Sequence, residues 1–164
     1  MAFLDDIKLS ILVFGPTPTG SPPGFMQDLA KKRIEIRDAL IADGHTAVFP
    51  EDLMTGAPDP HLNNAYLFEE YLVRKYDLVV NLVGSFGSVC ELGLFTKDRL
   101  ASKAALYFND SHLTGFAYHK AVVLQDLGAS LNSYSYPNDL VCCNLMKNVR
   151  QRVHAIRVGK FYSS

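Results

Sequence analysis

The run Leu78-Val-Val-Asn-Leu-Val83, followed by Gly84-Ser-Phe-Gly-Ser88, constrains this chain more than any other stretch. A short apolar run bounded by turn residues is too brief for a free-standing helix and suits a strand buried on both faces. The small-residue turn then leads into a helix predicted to begin at Ser88 and to run to about Ala101. Such a junction presents backbone N–H groups at the carboxyl edge of a sheet, where open α/β proteins bind ligands. Glu91 falls in the first turn of the predicted helix and would face the same crevice.

The rest of the chain repeats the pattern. Lys8 to Phe14 reads as a strand ended by Gly15-Pro-Thr-Pro-Thr-Gly-Ser-Pro-Pro-Gly24, where four prolines and three glycines in ten residues permit neither strand nor helix. A loop of that length suits a pocket wall or an exposed connector. It carries neither a phosphate-cradling P-loop pattern nor a dinucleotide fingerprint. Phe25 to Asp43 is predicted helical, with Met26, Leu29, Ile36 and Leu40 inward and Lys31, Lys32, Glu35 and Asp38 outward, stopped by Gly44. Thr46 to Phe49 is a strand, Glu51 to Pro60 a loop, and His61 to about Lys75 a helix burying Leu62, Ala65, Phe68 and Leu72. Beyond the central junction come a strand at Ala104 to Phe108, a helix at Gly115 to Leu127, a strand at Leu131 to Tyr136, and a long terminal helix opened by Pro137, with Val141, Leu145, Val149, Val153 and Ile156 at helical spacing.

Strands alternating with helices imply a parallel sheet covered on both faces. The expected fold is therefore α/β, one doubly wound domain spanning residues 1–164 with flavodoxin-like strand order 2-1-3-4-5. Its switch point falls between the first and third strands, which lead into the Gly15 loop and the Gly84 turn.

Totals narrow the function. A net charge of −1 over 164 residues argues against a dedicated nucleic-acid binder. No apolar run reaches the roughly 18 residues of a membrane span, and Met1 to Ser10 lacks the features of a signal peptide. Three cysteines, Cys90, Cys142 and Cys143, do not suit a disulfide-stapled fold, so a reducing cytoplasm is expected. Cys90 is expected in the core, the other two partly buried. The five histidines show no metal-ligand spacing, and neither metal nor cofactor is expected. The basic terminal stretch from Met146 reads as a solvated helix face or as a partner-binding surface.

A carboxylate in a crevice, without a Ser-His pair, suits chemistry at an electron-poor carbon such as glycosyl transfer. Glu91 would act as nucleophile or cation stabiliser, with Glu69 or Glu70 of the preceding helix as a second acid. The competing reading is structural, since Ser88-Val-Cys-Glu91 also fits a capping box. Asn81 could bind a sugar hydroxyl or satisfy backbone in the core, and Phe86 could stack on a base or pack on the Gly15 loop. Asn109 and Asp110 could reach the crevice or serve only as loop residues.

Ser85-Phe-Gly-Ser-Val-Cys-Glu-Leu-Gly93 resembles the S/D-x-G-x-x-x-E-L-G segment of the nucleoside 2-deoxyribosyltransferase superfamily, most closely its 2′-deoxynucleoside 5′-phosphate N-hydrolases. The resemblance implies that Glu91 is the nucleophile at C1′. It places the superfamily's helix carboxylate on Glu69, eight positions before Asp77. Gly15 and Pro16 would border sugar and base. Gly84, Ser85, Phe86, Gly87 and Ser88 form the turn expected to hold a 5′-phosphate or sugar. The implied substrate is a small nucleotide or nucleoside, and the family implies a homo-oligomer. Ser85 in place of aspartate, Glu69 in place of aspartate and the longer first loop make hydrolysis a better expectation than base exchange. A more distant resemblance to TIR domains rests on element order, the segment Phe49-Pro-Glu-Asp-Leu53 and the glutamate context, although Cys90 directly precedes Glu91 rather than lying three residues earlier. It implies NAD cleavage as an alternative. A non-catalytic nucleotide sensor on the same scaffold is the rival from another class.

Overall fold

The computed structural model describes residues 3–54, 65–84, 86–97, 99–113 and 115–163, with side chains for all of these except 65, 66 and 86–88. Among them, β1 (Ser10–Phe14), β2 (Thr46–Val48), β3 (Leu78–Val83), β4 (Ala104–Asn109) and β5 (Ser130–Tyr134) form one all-parallel sheet ordered β2-β1-β3-β4-β5. This is the order expected from the alternation of elements. In register, Leu12 lies between Val48 and Val79, and Asn81 lies between Phe14 and Leu106. Every residue of β3 and β4 is buried, as the central position of apolar strands requires.

The helices are α1 (Phe25–Ala42), α2 (Pro50–Leu53), α3 (Ala65–Lys75), α4 (Phe86–Glu91), α5 (Phe116–Asp126), α6 (Asn138–Val141) and α7 (Asn144–Ser163). The pleat sends alternate residues of β1 into two cores. Ile11 and Val13 meet Leu29 and Ile36 of α1 and Leu145 and Val149 of α7. Leu12 and Phe14 meet Phe68 of α3, Leu92 and Phe95 after α4, and Leu124 of α5. Each such side chain withdrawn from water contributes roughly 1.5–3 kcal/mol before entropy is subtracted.

Gly44 ends α1 as expected. At φ +88° it donates its N–H to Ile41 O while His45 N–H reaches Leu40 O, the paired closure of a Schellman motif. Three helical expectations are corrected. The predicted Ser88–Ala101 helix is instead the six-residue α4, a 3-10 segment Leu92–Thr96, and a second 3-10 turn Leu100–Lys103 entered through Arg99 at φ +63°. The loop predicted from Glu51 opens with the helical turn α2, because Pro50 at its first position is preset for helix. The long terminal helix is broken at Cys142, which is extended, so α6 and α7 are out of phase and Val141 is exposed rather than inward. Residues 55–60 of the predicted loop and 61–64 of the helix predicted from His61 lie outside the described residues, Leu62 among them, as does the side chain of Ala65, while Phe68 and Leu72 are buried as expected.

Lys32, expected on the outer face of α1, is only 3% exposed. The α6–α7 junction covers it, and its Nζ donates to Cys142 O at 3.1 Å while pairing with Glu35 at 2.7 Å. All three cysteines are exposed, against the expectation of burial. The break between α6 and α7 leaves Cys142 and Cys143 on the surface. The shortness of α4 turns Cys90 outward while Leu92 takes the core position.

The terminal basic residues tie the chain together. Arg150 pairs with Asp43 at 2.7 Å, Arg152 donates to Ser102 O, and Arg157 donates to Leu4 O and pairs with Asp5. Lys160 pairs with Asp77, whose Oδ2 also accepts the N–H and hydroxyl of Ser10 at the start of β1. Among the described residues, no helix is long and apolar enough to cross a membrane.

Candidate active site

At the carboxyl ends of β1 and β3 the chain leaves toward opposite faces. β1 leads to α1 on one side, and β3 leads to α4 on the side of α3. This divergence is the crevice of a doubly wound sheet. Gly84 lets the junction close. A Cβ there would lie 2.4 Å from Leu29 Cδ2 and 3.4 Å from a ring carbon of Phe25, so any larger residue would have to displace the fully buried Leu29 side chain, or α1 with it.

Glu91 is the last residue of α4, not part of its first turn. The helix begins two residues earlier than predicted, at Phe86, which puts Ser88 inside it. The Ser88–Glu91 capping box therefore does not form, because an N-cap residue must stand outside the helix. What Glu91 does instead is unusual. Its Oε2 is fully buried and has no hydrogen-bond partner among the described residues. Burial pushes its carboxyl up to about 8, reinforced by repulsion from Glu69 and Glu51 and opposed by Arg33. At neutral pH much of it is the protonated acid.

Glu69, on α3, is half-buried and is also pushed up, first by burial and then by Glu51, against the pull of Arg33. Three carboxyls from three elements thus act on one another, and one guanidinium, paired with Glu51, opposes their mutual repulsion. Arg33 is 1% exposed and donates all five of its N–H groups. Nε and Nη2 bond Val13 O at 3.0 and 2.8 Å, and Nη1 bonds Pro16 O at 3.0 Å. Nη1 and Nη2 take the two oxygens of Glu51 at 2.6 and 2.8 Å. Gly15 packs on the stem of Arg33, since a Cβ there would lie 3.1 Å from its Cδ. The guanidinium also lies 4.2 Å over the Phe49 ring, with Arg37 at 4.4 Å from the same ring.

Glu91, Glu69, Gly15 and Pro16, expected at one sheet edge, all lie at this cluster. Arg33 was not expected there; its sequence signal is its position on the stripe of Leu29, Ile36 and Leu40, where an arginine is out of place unless paired. Glu70 turns away and binds Arg74 and Lys97 on the surface. Asn81 is 0% exposed, within the sheet beneath the crevice. Asn109 caps the turn after β4 by accepting Ser111 N–H, and Asp110 accepts the Ser135 hydroxyl at 2.5 Å, so both have loop-building roles. Ser85 lies outside the described residues, and Phe86, Gly87 and Ser88 are placed by backbone only, at the start of α4.

A hollow of about 470 Å³ adjoins the cluster, lined by Thr17 and Thr19 of the proline-rich loop, Ile34 and Arg37 of α1, Phe49, and Glu51. Glu51 is the residue common to hollow and carboxyl cluster. A larger hollow of about 690 Å³ lies elsewhere, between α1 and α7, and holds none of these groups. Among the described residues no group of His, Cys, Asp and Glu side chains is arranged to hold a metal ion.

The family model described as STM3845 retron effector protein matches residues 30–115, just over half of the chain. That span runs from the first turns of α1 past β4 and contains Arg33, Glu51, Glu69 and Glu91. No curated protein matches the chain.

Proposed function

The chain belongs to the STM3845 retron effector family, and from that premise we propose that it is a cytoplasmic effector enzyme that cleaves the N-glycosidic bond of a nucleotide or nucleoside. The observation that carries this reading is the Glu91 carboxyl, with one oxygen buried and unpartnered beside two further carboxyls at the sheet's carboxyl edge. Burying such a group is costly to the fold, and groups perturbed in this way concentrate where chemistry is done.

In the proposed reaction the ionised Glu91 attacks C1′ of the sugar. The C1′–N bond breaks as the base departs and takes a proton from Glu69, which its raised proton affinity suits to donation. Water then attacks the glycosyl ester, releases free sugar or sugar phosphate, and restores both carboxyls. The proline-rich loop and α2 supply walls. Without aspartate at positions 69 and 85, base exchange is less favoured than hydrolysis.

The test is incubation of the purified protein with deoxynucleoside 5′-monophosphates and, separately, with NAD, followed by chromatography for free base. Base released from the monophosphates, and lost with Glu91→Gln, supports the proposal. Nicotinamide release alone redirects it to NAD. No release from either set, with folding intact, overturns it in favour of a non-catalytic sensor.

A further inference from the structure

The hollow between the edge strand β5 and the α6–α7 break takes no part in the proposed reaction. It measures about 110 Å³ and shares no residue with the carboxyl cluster. Its walls come from Tyr107 of β4, Asn132 and Tyr134 of β5, Asp139 of α6, and Asn144 and Asn148 of α7. Tyr134 is 3% exposed, and its hydroxyl, fully buried, has no hydrogen-bond partner among the described residues. A hydroxyl buried in that way is costly to the fold unless an occupant of the hollow completes it.

The bonds already made define what the hollow still offers. Asn132 commits its amide N–H groups to Ser130 Oγ at 3.0 Å and Leu106 O at 3.4 Å, and Asn144 donates to Asp139 at 2.8 Å. Both amides thereby keep their oxygens as acceptors. Asn148 does the reverse: its oxygen accepts the Tyr107 hydroxyl at 2.8 Å, which leaves its N–H₂ to donate. Donors and acceptors gathered in one small space, beside tyrosine rings, match the hydrogen-bonding edge of a nucleobase, an edge that asparagine reads well. A phosphate is refused, because hydrogen bonds from Asn144 and from Ser135 N–H hold the Asp139 carboxyl below the usual range and so ionised. The volume, well under the roughly 300 Å³ at which drug-sized ligand sites begin, leaves no room for a sugar as well.

We infer that this hollow is a second ligand site, one that takes a free single-ring nucleobase held by Tyr134 and the three asparagines. A base of that kind is what the proposed reaction would release, so the site would register product. That consequence rests on the hydrolase reading, whereas the binding does not.

Saturation-transfer difference NMR of the whole protein with cytosine and, separately, with uracil measures the binding. One base or both are expected to bind, with affinity weakened about fivefold or more in Tyr134→Phe and in Asn144→Ala. Glu91→Gln is expected to bind as the native protein does. Tyr134→Phe removes a hydroxyl that no described residue uses, so its melting temperature is expected not to fall. Should it fall, Asn144→Ala decides alone. No transfer to either base, which leaves a hollow filled by water only, overturns the inference. So does affinity that persists in both variants, or that vanishes in Glu91→Gln and so places the base at the carboxyl cluster. If base release is absent from the native protein, the hydrolase reading fails while these titrations still judge the site.

Discussion

Glu91 binds its proton more tightly in the folded chain than an ordinary glutamate does, because burial and two neighbouring carboxyls disfavour its charge. A raised folded-state value means stabilisation that is complete below the unfolded value of about 4.5 and is lost as pH climbs through about 8. Glu91→Gln, which needs no proton, is therefore expected to gain thermal stability over the native protein as pH rises from 5 to 9 and to show no advantage at pH 4. Calorimetry across that range checks the sign. If Glu91 attacks as an anion while Glu69 donates a proton, kcat/KM for base release is expected to be bell-shaped in pH, because the reactive state needs Glu91 ionised and Glu69 protonated. The same Gln variant should lose on the order of a thousandfold or more in turnover. Glutamine at 69 removes only the proton donor, and a loss of about 10²- to 10⁴-fold is expected, largest for the poorest leaving bases. At this scale the sequence disclosed Glu91 and Glu69 by their spacing to a strand. It concealed Arg33, because one arginine on an amphipathic stripe says nothing of its partner until tertiary structure brings Glu51 to it.

At the scale of elements, the junction of β3, α4 and α1 governs how close the carboxyls come. Gly84→Ala would drive a methyl into Leu29. It is expected to cost roughly 1–3 kcal/mol, read as a lower midpoint in denaturant, by forcing α1 off the sheet. Because Arg33 lies one helical turn beyond Leu29 on α1, the same shift should also depress base release. Strand identities and their order were legible because each is an apolar run closed by turn residues, and parallel pairing then leaves few arrangements. Helix limits were not. Phe86 and Gly87 take helical geometry although the turn-like composition of 84–88 argues otherwise, and α4 tightens into 3-10 turns so that Leu92, Leu94 and Phe95 all face the core. The break at Cys142 carries no proline or glycine to announce it, yet it decides why Val141 is exposed and Lys32 covered.

Across the whole molecule, ion pairs join segments far apart in sequence at the amino ends of the strands. Asp77 is the hub: burial works against its charge, but hydrogen bonds from Lys160 and from the backbone and hydroxyl of Ser10 hold its carboxyl below the usual range. That stabilisation is present above the unfolded carboxyl value and is lost as pH falls through the depressed one. Asp77→Asn is accordingly expected to lower the melting temperature by a few degrees at pH 7. The gap between it and the native protein should close under acid, as differential scanning fluorimetry at pH 7 and pH 3 would show. The clasp of Arg157 on Leu4 and Asp5 sits at that same pole, and the carboxyl cluster sits at the other, a strand length or roughly 17 Å away. A label attached at the exposed Asp5 would thus ride at the base of the sheet, leaving traffic into and out of the cleft unobstructed.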